Sequence, residues 1–369
     1  MKQRPPFRAD HVGSFLRPPR LKTARQEHEA GQITDTELTA IENEEILTLI
    51  RKQENVGLKL TTDGEFRRAW WHFDFFGLLD GVTIAETDQG IQFHGVQTKH
   101  ELPKITGKIG FSQQHPFLQH FAYLKANSGV TPKMTIPAPT VLHFRLDANA
   151  VKGSGYQSND DIFDDLAKTY RTAIKAFYNA GCRYLQLDDT AWAYLCSQVE
   201  MEKAKARGIN TATIAKDYAR LLNQSMAEKP ADMTITTHVC RGNFRSTWIA
   251  EGGYEPVAEI LLNEVKYDGY FLEYDSERAG GFEPLRFLPK GNKIAVVGLI
   301  TSKSGNLEHK ADVKRRLEEA AKYAPLEQLA LSPQCGFAST EEGNVLSEEQ
   351  QWNKMREVVE IAAEVWGNS

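Results

Sequence analysis

Cysteine is scarce in this chain, with four among 369 residues. No apolar run approaches the ~20 residues of a bilayer-spanning helix, which argues against a membrane span. Neither sign of charge dominates. Lys and Arg number 44 against 49 Asp and Glu, a formal net charge of −5, so there is no electrostatic footprint for nucleic acid or an anionic membrane. The opening Met1-Lys2-Gln3-Arg4-Pro5-Pro6 carries charge with no apolar core behind it, so it does not read as a secretory signal. The expected compartment is therefore cytoplasmic, where thiols stay reduced. The cysteines are then ligands, nucleophiles or core fillers rather than disulfides. Internal repeats and low-complexity segments are lacking. The glycine-rich stretches Glu251-Gly252-Gly253 and Ala279-Gly280-Gly281 fit neither G-x-G-x-x-G nor a P-loop. That leaves an open doubly wound nucleotide-binding sheet as the runner-up architecture.

What is present is ordinary globular composition, 41% hydrophobic and 25% charged. Eight short apolar segments stand out: Phe7–Ser14, Leu58–Gly64, Lys133–Leu142, Cys182–Asp189, Met233–Cys240, Gly269–Asp275, Lys293–Ile300 and Leu329–Cys335. Several are nearly continuous in apolar residues, as expected of parallel strands covered on both faces. Helical patterns separate them. Asp160–Ala180 places Ile162, Leu166, Tyr170, Ile174 and Phe177 at three- and four-residue spacings, with Gly181 where a C-terminal cap belongs. Thr34–Ile50, Pro256–Val265, Asp312–Tyr323 and Ser347–Trp366 read the same way. Repeated strand–helix alternation predicts an α/β fold, a single (β/α)8 TIM barrel over residues 1–369. The interval from Asp80 to Thr131 breaks the pattern. Ile84–His94 and Pro103–Phe111 within it suggest a β-hairpin insertion, at about 80–131, lying as a lid over the C-terminal mouth.

Functional side chains of such barrels sit at the C-terminal ends of the strands. The fifth candidate strand ends Thr237-His238-Val239-Cys240. Residues i and i+2 share a strand face, so His238 and Cys240 can both point inward. The sixth ends in Glu273-Tyr274-Asp275 and the eighth in Gln334-Cys335-Gly336. His238, Cys240, Glu273 and Cys335 would thus converge on the mouth. A tetrahedral Zn²⁺ takes such N, S and O donors. Two thiolates and a carboxylate bring −3, so the set with its metal carries −1. The carboxylate is the hardest donor, hence the first to leave when a soft thiol arrives. The competing reading is that a Cys at a strand end is simply core; Cys182 and Cys196 are read that way.

Other strand ends carry polar groups. Glu65 and Asp188 are candidates to hold a substrate ammonium, and Ser14 with nearby backbone N–H groups a carboxylate. Asp63, Asp188 and Asp189 could instead cap the helices that follow them. His11 and His143 are candidate acids or satisfied barrel histidines. Arg67, Arg68, Trp70 and Trp71 either touch a second substrate or pack a loop. Trp248, Trp352 and Trp366 fit either the core or an interface of a homo-oligomer.

Taken together, these motifs resemble the cobalamin-independent methionine synthase family, specifically its C-terminal catalytic barrel, over about Phe7 to Trp366. The family's opening element appears as Val12-Gly13-Ser14-Phe15, its Gly-Glu motif as Gly64-Glu65, and its Gln-Ile-Asp-Glu strand end as Gln186-Leu187-Asp188-Asp189. Its Pro-Asp-Cys-Gly element appears as Pro333-Gln334-Cys335-Gly336. The resemblance implies Zn²⁺ on His238, Cys240, Glu273 and Cys335, with His238, Cys240 and Cys335 counted as catalytic through that ion. It implies homocysteine as acceptor, its carboxylate on Ser14 and its amino group on Glu65 and Asp188. The methyl donor would be methyltetrahydrofolate or a methylcobalamin-type corrinoid. The chain supplies one barrel where full-length members have two. Leu299-Ile300-Thr301-Ser302-Lys303 lacks the family's catalytic histidine, and Val141-Leu142-His143-Phe144-Arg145 lacks its pterin-stacking tryptophan. This pattern resembles the short single-barrel branch of methionine synthase-like proteins. The alternatives are an alkyltransferase for another thiol and a non-catalytic barrel that binds zinc or an amino acid.

Overall fold

The computed structural model describes residues 4–87, 91–98, 101–146, 150–151 and 154–367. Its strands in chain order are β1 (Leu60–Thr61), β2 (Asp80–Glu86), β3 (Gln92–Phe93), β4 (Val96–Gln97), β5 (Glu101–Gly110), β6 (Thr131–Pro137), β7 (Tyr184–Asp188), β8 (Thr234–Val239), β9 (Gly269–Glu273), β10 (Ile294–Ile300) and β11 (Leu329–Pro333). Seven of them form one sheet in the order β1-β6-β7-β8-β9-β10-β11, every neighbouring pair parallel.

Residues 8–15 supply the closing stave. Ala9 bridges Leu331 of β11, and Ser14 bridges Gly64 just beyond β1, both in parallel sense. The expected regular strand over Phe7–Ser14 is therefore not observed; the segment meets its neighbours only at its two ends. The reason lies in its hydrogen bonds. Lys133 Nζ donates to the His11 carbonyl at 2.6 Å and Gln186 Nε2 to the Val12 carbonyl at 2.7 Å. Side chains thus take carbonyls that a ladder would otherwise use. Lys133 is fully buried and also pairs with buried Asp10 at 3.1 Å, which accepts from Tyr184 Oη at 2.9 Å. The barrel is a (β/α)8-type barrel closed by an irregular first stave.

The helices follow their sequence signals. Thr34, Ser158 and Ser347 each close a capping box, at the heads of Asp35–Asn55, Asn159–Asn179 and Glu348–Trp366. Asn159–Asn179 buries Ile162, Leu166, Tyr170, Ile174 and Phe177. The segment expected as a helix over Pro256–Val265 is a short α-helix, Glu255–Ala258, that widens into π turns over Glu259–Glu264. The third expected strand, Lys133–Leu142, stops at Pro137, because Pro139 opens the helix Pro139–Arg145 at its first turn. Among the described residues, no helix is long and apolar enough to cross a membrane.

The interval after β1 holds the antiparallel pair β2–β5 and a smaller hairpin, β3–β4, at its tip. The outgoing strand ends at Glu86, earlier than the expected His94. The tip packs beside the C-terminal ends of the barrel strands. Phe93 lies 5.4 Å from Phe244, and the His94 N–H donates to the Trp248 carbonyl at 3.1 Å. With Trp70, Phe73 and Ile91 these rings form an apolar cluster separate from the main core. The helix Pro116–Asn127 then leads back to β6. The three tryptophans left open all have partners within the chain. Trp248 stacks near His94, Trp352 on Phe15, and Trp366 Nε1 donates to the Leu326 carbonyl.

Candidate metal centre

β8, β9 and the turn after β11 each deliver donors to the same point. Strand alternation points His238 and Cys240 inward, Glu273 closes β9, and Cys335 follows β11 by two residues. One donor atom from each of His238, Cys240, Glu273 and Cys335 lies within 4.8 Å of the other three, and all four side chains are buried. Cys240 Sγ and Cys335 Sγ are 3.6 Å apart. A disulfide requires about 2.05 Å, and both cysteines are free. Zn–S bonds of about 2.3 Å at a tetrahedral angle set two sulfurs roughly 3.8 Å apart, so the pair already has the edge length of a shared metal. His238 Nε2 stands 3.9 Å from Glu273 Oε1, while Nδ1 faces Asp188 Oδ1 at 3.6 Å. Nε2 also lies 3.1 Å from the Gln334 carbonyl, a contact that an ion on this nitrogen would replace, and a carboxylate stands beside the other nitrogen. Glu273 Oε1, on the side of the donor group, accepts the Arg241 N–H at 2.9 Å, while Oε2 lies 3.6 Å from Arg278 Nη2. The residues present fit a divalent metal with soft-donor preference.

The electrostatics fit the same arrangement. Burial lowers the basicity of His238, but the Cys335 thiolate, Asp188 and Glu273 outweigh it and raise its pKa to about 9. Cys240 is pushed well above the ordinary thiol range by its hydrogen bond to Cys335 and by burial. Cys335 is held low despite burial, by the Cys240 proton and the His238 charge. Cys182 and Cys196 lie outside the group. Each donates to a backbone carbonyl, of Tyr184 and Trp192, and burial pushes both thiols up to about 12.

His238, Cys240 and Cys335 open into a narrow cleft that Ser14, Glu65, Trp71, Asp188 and Ser339 also line. Gly64 and Glu65 both have positive φ, 66° and 61°. A Cβ at Gly64 would stand 2.3 Å from Leu49 Cδ2, so the turn that aims Glu65 requires glycine there. Glu65 Oε1 accepts from Thr135 Oγ1 at 2.8 Å and faces Arg68 at 3.4 Å; Oε2 has no partner. Burial raises the Glu65 pKa to about 6, with Asp188 adding to it and Arg68 and Arg17 opposing. Asp188 accepts from Gln186 Nε2 at 2.7 Å. Glu65 and Asp188 are thus two buried carboxylates with spare acceptor capacity on the wall of one cleft. Ser14 Oγ accepts from the Ala338 N–H at 3.4 Å, and a Cβ on Gly336 would sit 2.0 Å from that oxygen. The turn carrying Cys335 can approach Ser14 only because residue 336 is glycine.

Other candidates fall elsewhere. Asp189 caps the turn after β7, accepting from the Ala191 N–H and Thr140 Oγ1. His143 hydrogen-bonds Tyr218 Oη at 3.0 Å within the apolar core, and burial lowers its pKa to about 4. His11 is buried against Phe15 with neither ring nitrogen partnered. Arg67 pairs with Glu42, and Arg68 serves Glu65 and Thr135 from a buried position. Trp70 belongs to the cluster under the hairpin tip, whereas Trp71 reaches the cleft. Sequence reasoning missed the ties between mouth loops. Lys303 Nζ donates to Asn243 Oδ1 and to the Gly242 and Thr247 carbonyls, and Asn243 and Ser302 both donate to the Gly336 carbonyl. Contacts between residues so far apart in the chain have no periodic signature.

The fold and site define a class: a parallel barrel that carries a group of thiol, imidazole and carboxylate donors able to hold a metal at its C-terminal mouth. The family model described as "Cobalamin-independent synthase, Catalytic domain" matches residues 7–364, and the chain belongs to that family, in its short single-barrel branch. It is 52% identical over 367 residues to the uncharacterized protein YxjG of Bacillus subtilis, covering 99% of this chain and 96% of that one. A methionine synthase of Sulfurisphaera tokodaii is 24% identical over 334 residues, 88% of this chain and 84% of its own. A crystal structure from Listeria monocytogenes, of a protein proposed to be a vitamin-B12 independent methionine synthase, superposes with a TM-score of 0.80 at 44% identity, covering 100% of both chains.

Proposed function

We propose that this chain is a zinc-dependent methyltransferase that methylates the sulfur of homocysteine to give methionine. The observation that carries the reading is the shared cleft. Its walls hold both the two thiols of the donor group and the carboxylates Glu65 and Asp188, so a thiol and an ammonium of one small molecule can be received together. His238, Cys240, Glu273 and Cys335 would hold the ion. Zn²⁺ bound there would lower the pKa of a thiol and supply a nucleophile at neutral pH.

The chain's own residues do the rest. Glu65 and Asp188 bind the substrate ammonium, with Thr135 and Arg68 fixing Glu65. Ser14 meets the carboxylate. Asp188 also faces His238 Nδ1, so substrate recognition and ligand orientation share one side chain. In the transfer, the new S–CH₃ bond forms as the bond from methyl to donor breaks, and the electron pair of that bond stays with the donor. The thiol proton is lost before attack. Holding sulfur and methyl carbon in line removes most of the entropic barrier. The thiols of the centre require a reducing compartment such as the cytoplasm.

The test is turnover of homocysteine by the zinc-loaded protein with methyltetrahydrofolate, in mono- and polyglutamyl forms, and with methylcobalamin. Methionine from at least one donor is expected. Bound zinc with no methionine from any of them would sink the homocysteine assignment.

A further inference from the structure

Glu273 has two different faces. Oε1 looks toward the donor group, 3.9 Å from His238 Nε2, and accepts the Arg241 N–H at 2.9 Å. Oε2 looks away from it, toward Arg278 Nη2 at 3.6 Å, and has no hydrogen-bond partner. Arg278 sits on the short 3₁₀ turn Glu277–Ala279, just after β9. Its guanidinium is nearly buried, held to Asp275 Oδ1 at 2.9 Å and laid over the Trp248 ring at 4.9 Å. Its Nε is also unpartnered. The pair is thus set just outside hydrogen-bond distance, with spare capacity on both sides.

We propose that Arg278 is a positioning residue that receives the Glu273 carboxylate when a thiol enters the metal centre; the inference rests on the thiol-activating reading above. Two thiolates and one carboxylate on a divalent ion leave −1. A substrate thiolate added with Glu273 in place would leave −2 in a buried site. Withdrawal of Glu273 keeps the total at −1, but the withdrawn carboxylate stays buried and needs a cation. A shift of under about 1 Å turns the 3.6 Å contact into a charge-assisted hydrogen bond. Arg278 therefore competes with the ion for Glu273, which makes this ligand the exchangeable one.

That competition separates the two affinities, thiol affinity falling while zinc affinity does not, which a purely structural residue would not produce. In full-length Arg278→Met, zinc affinity without thiol, measured by chelator competition, should equal or exceed that of the parent protein. Homocysteine affinity, read from sulfur-to-metal charge-transfer absorption of the cobalt(II)-substituted protein, should fall roughly 10- to 100-fold, the value of one charge-assisted hydrogen bond. Arg278→Lys, which keeps the charge, should recover most of that loss. Unchanged homocysteine affinity in Arg278→Met overturns the proposal. So does a parallel loss of zinc and thiol affinity in both variants. If the parent cobalt protein gains no charge-transfer band with homocysteine, the substrate reading itself has failed and the proposal falls with it.

Discussion

Zinc binding to the metal-free chain at pH 7 should release at least two protons. The count comes from the three sulfur and nitrogen ligands. His238, raised to about 9, is an imidazolium at neutral pH. Cys240, raised well above the usual thiol range, keeps its proton, whereas Cys335, held low, gives its proton up first. The bound state needs a neutral imidazole and two thiolates, so one proton leaves His238 and one leaves Cys240. By linkage, zinc affinity should climb at least 100-fold per pH unit between roughly pH 6 and 8 and about 10-fold per unit above pH 9, where His238 has lost its proton and Cys240 still holds one. The same shift acts on folding. A histidine raised above its unfolded value stabilises the metal-free fold fully below about pH 6.5, and this is lost as pH rises through about 9. The metal-free protein should therefore be less stable at pH 9 than at pH 6. Calorimetric zinc titrations in buffers of different ionisation heat count the protons directly. Release of fewer than one would refute this proton inventory. Cys335→Ala removes the thiolate that does most to raise His238, so release should drop to about one. Zinc affinity should fall roughly 70- to 900-fold, each ligand carrying about a quarter of ~10–16 kcal/mol. Retention of one tightly bound zinc per chain by this variant would mean that the ligand set is wrong.

Three further outcomes are expected. Glu65→Gln should raise the homocysteine KM roughly 10- to 100-fold while leaving bound zinc intact, for the loss of one charge-assisted contact to the ammonium; an unchanged KM would remove Glu65 from substrate recognition. The parent KM should also rise as pH falls through about 6, where Glu65 takes up a proton, and this rise should be absent in the variant. Asp189 is raised to about 7 by burial, so its contribution to stability is complete below its unfolded value and lost as pH climbs through 7. Urea denaturation should accordingly show Asp189→Asn gaining on the parent protein between pH 5 and 8, and equal pH profiles would contradict the burial argument. Lys133→Met leaves Asp10 charged and unpaired in the barrel interior, with a cost of about 3–5 kcal/mol in thermal or denaturant unfolding. A loss under about 1 kcal/mol would show that the pair is not what pins the first stave.

The parts of this molecule that were legible in the sequence are those with local periodicity. Strand alternation alone put His238 and Cys240 on one face, and apolar runs ending in Glu273 and near Cys335 placed the other donors at the same rim. The helices announced themselves by apolar spacing, as in Ile162, Leu166, Tyr170, Ile174 and Phe177, closed by Gly181. The first stave was misread because its regularity is spoiled by Lys133 and Gln186, more than a hundred residues away. The third strand was overextended because Pro139 fits the first turn of a helix as readily as a strand end. Arg278 gave no signal, since only the 3₁₀ turn after β9 folds it back toward Glu273. Arg68 was noticed for its charge, but its partners Glu65 and Thr135 come together only in the closed barrel.

The way the chain closes has a consequence for when the site comes into being. The two metal-facing thiols lie 95 residues apart, whereas the Ser14–Ala338 contact joins positions 324 apart. The donor group belongs wholly to the second half of the polypeptide. The substrate half needs the first stave to dock between β11 and β1, the step that brings the two ends of the chain together. On the proposed roles, the metal-holding residues and the residue meeting the substrate carboxylate therefore lie on parts of the chain that only barrel closure joins.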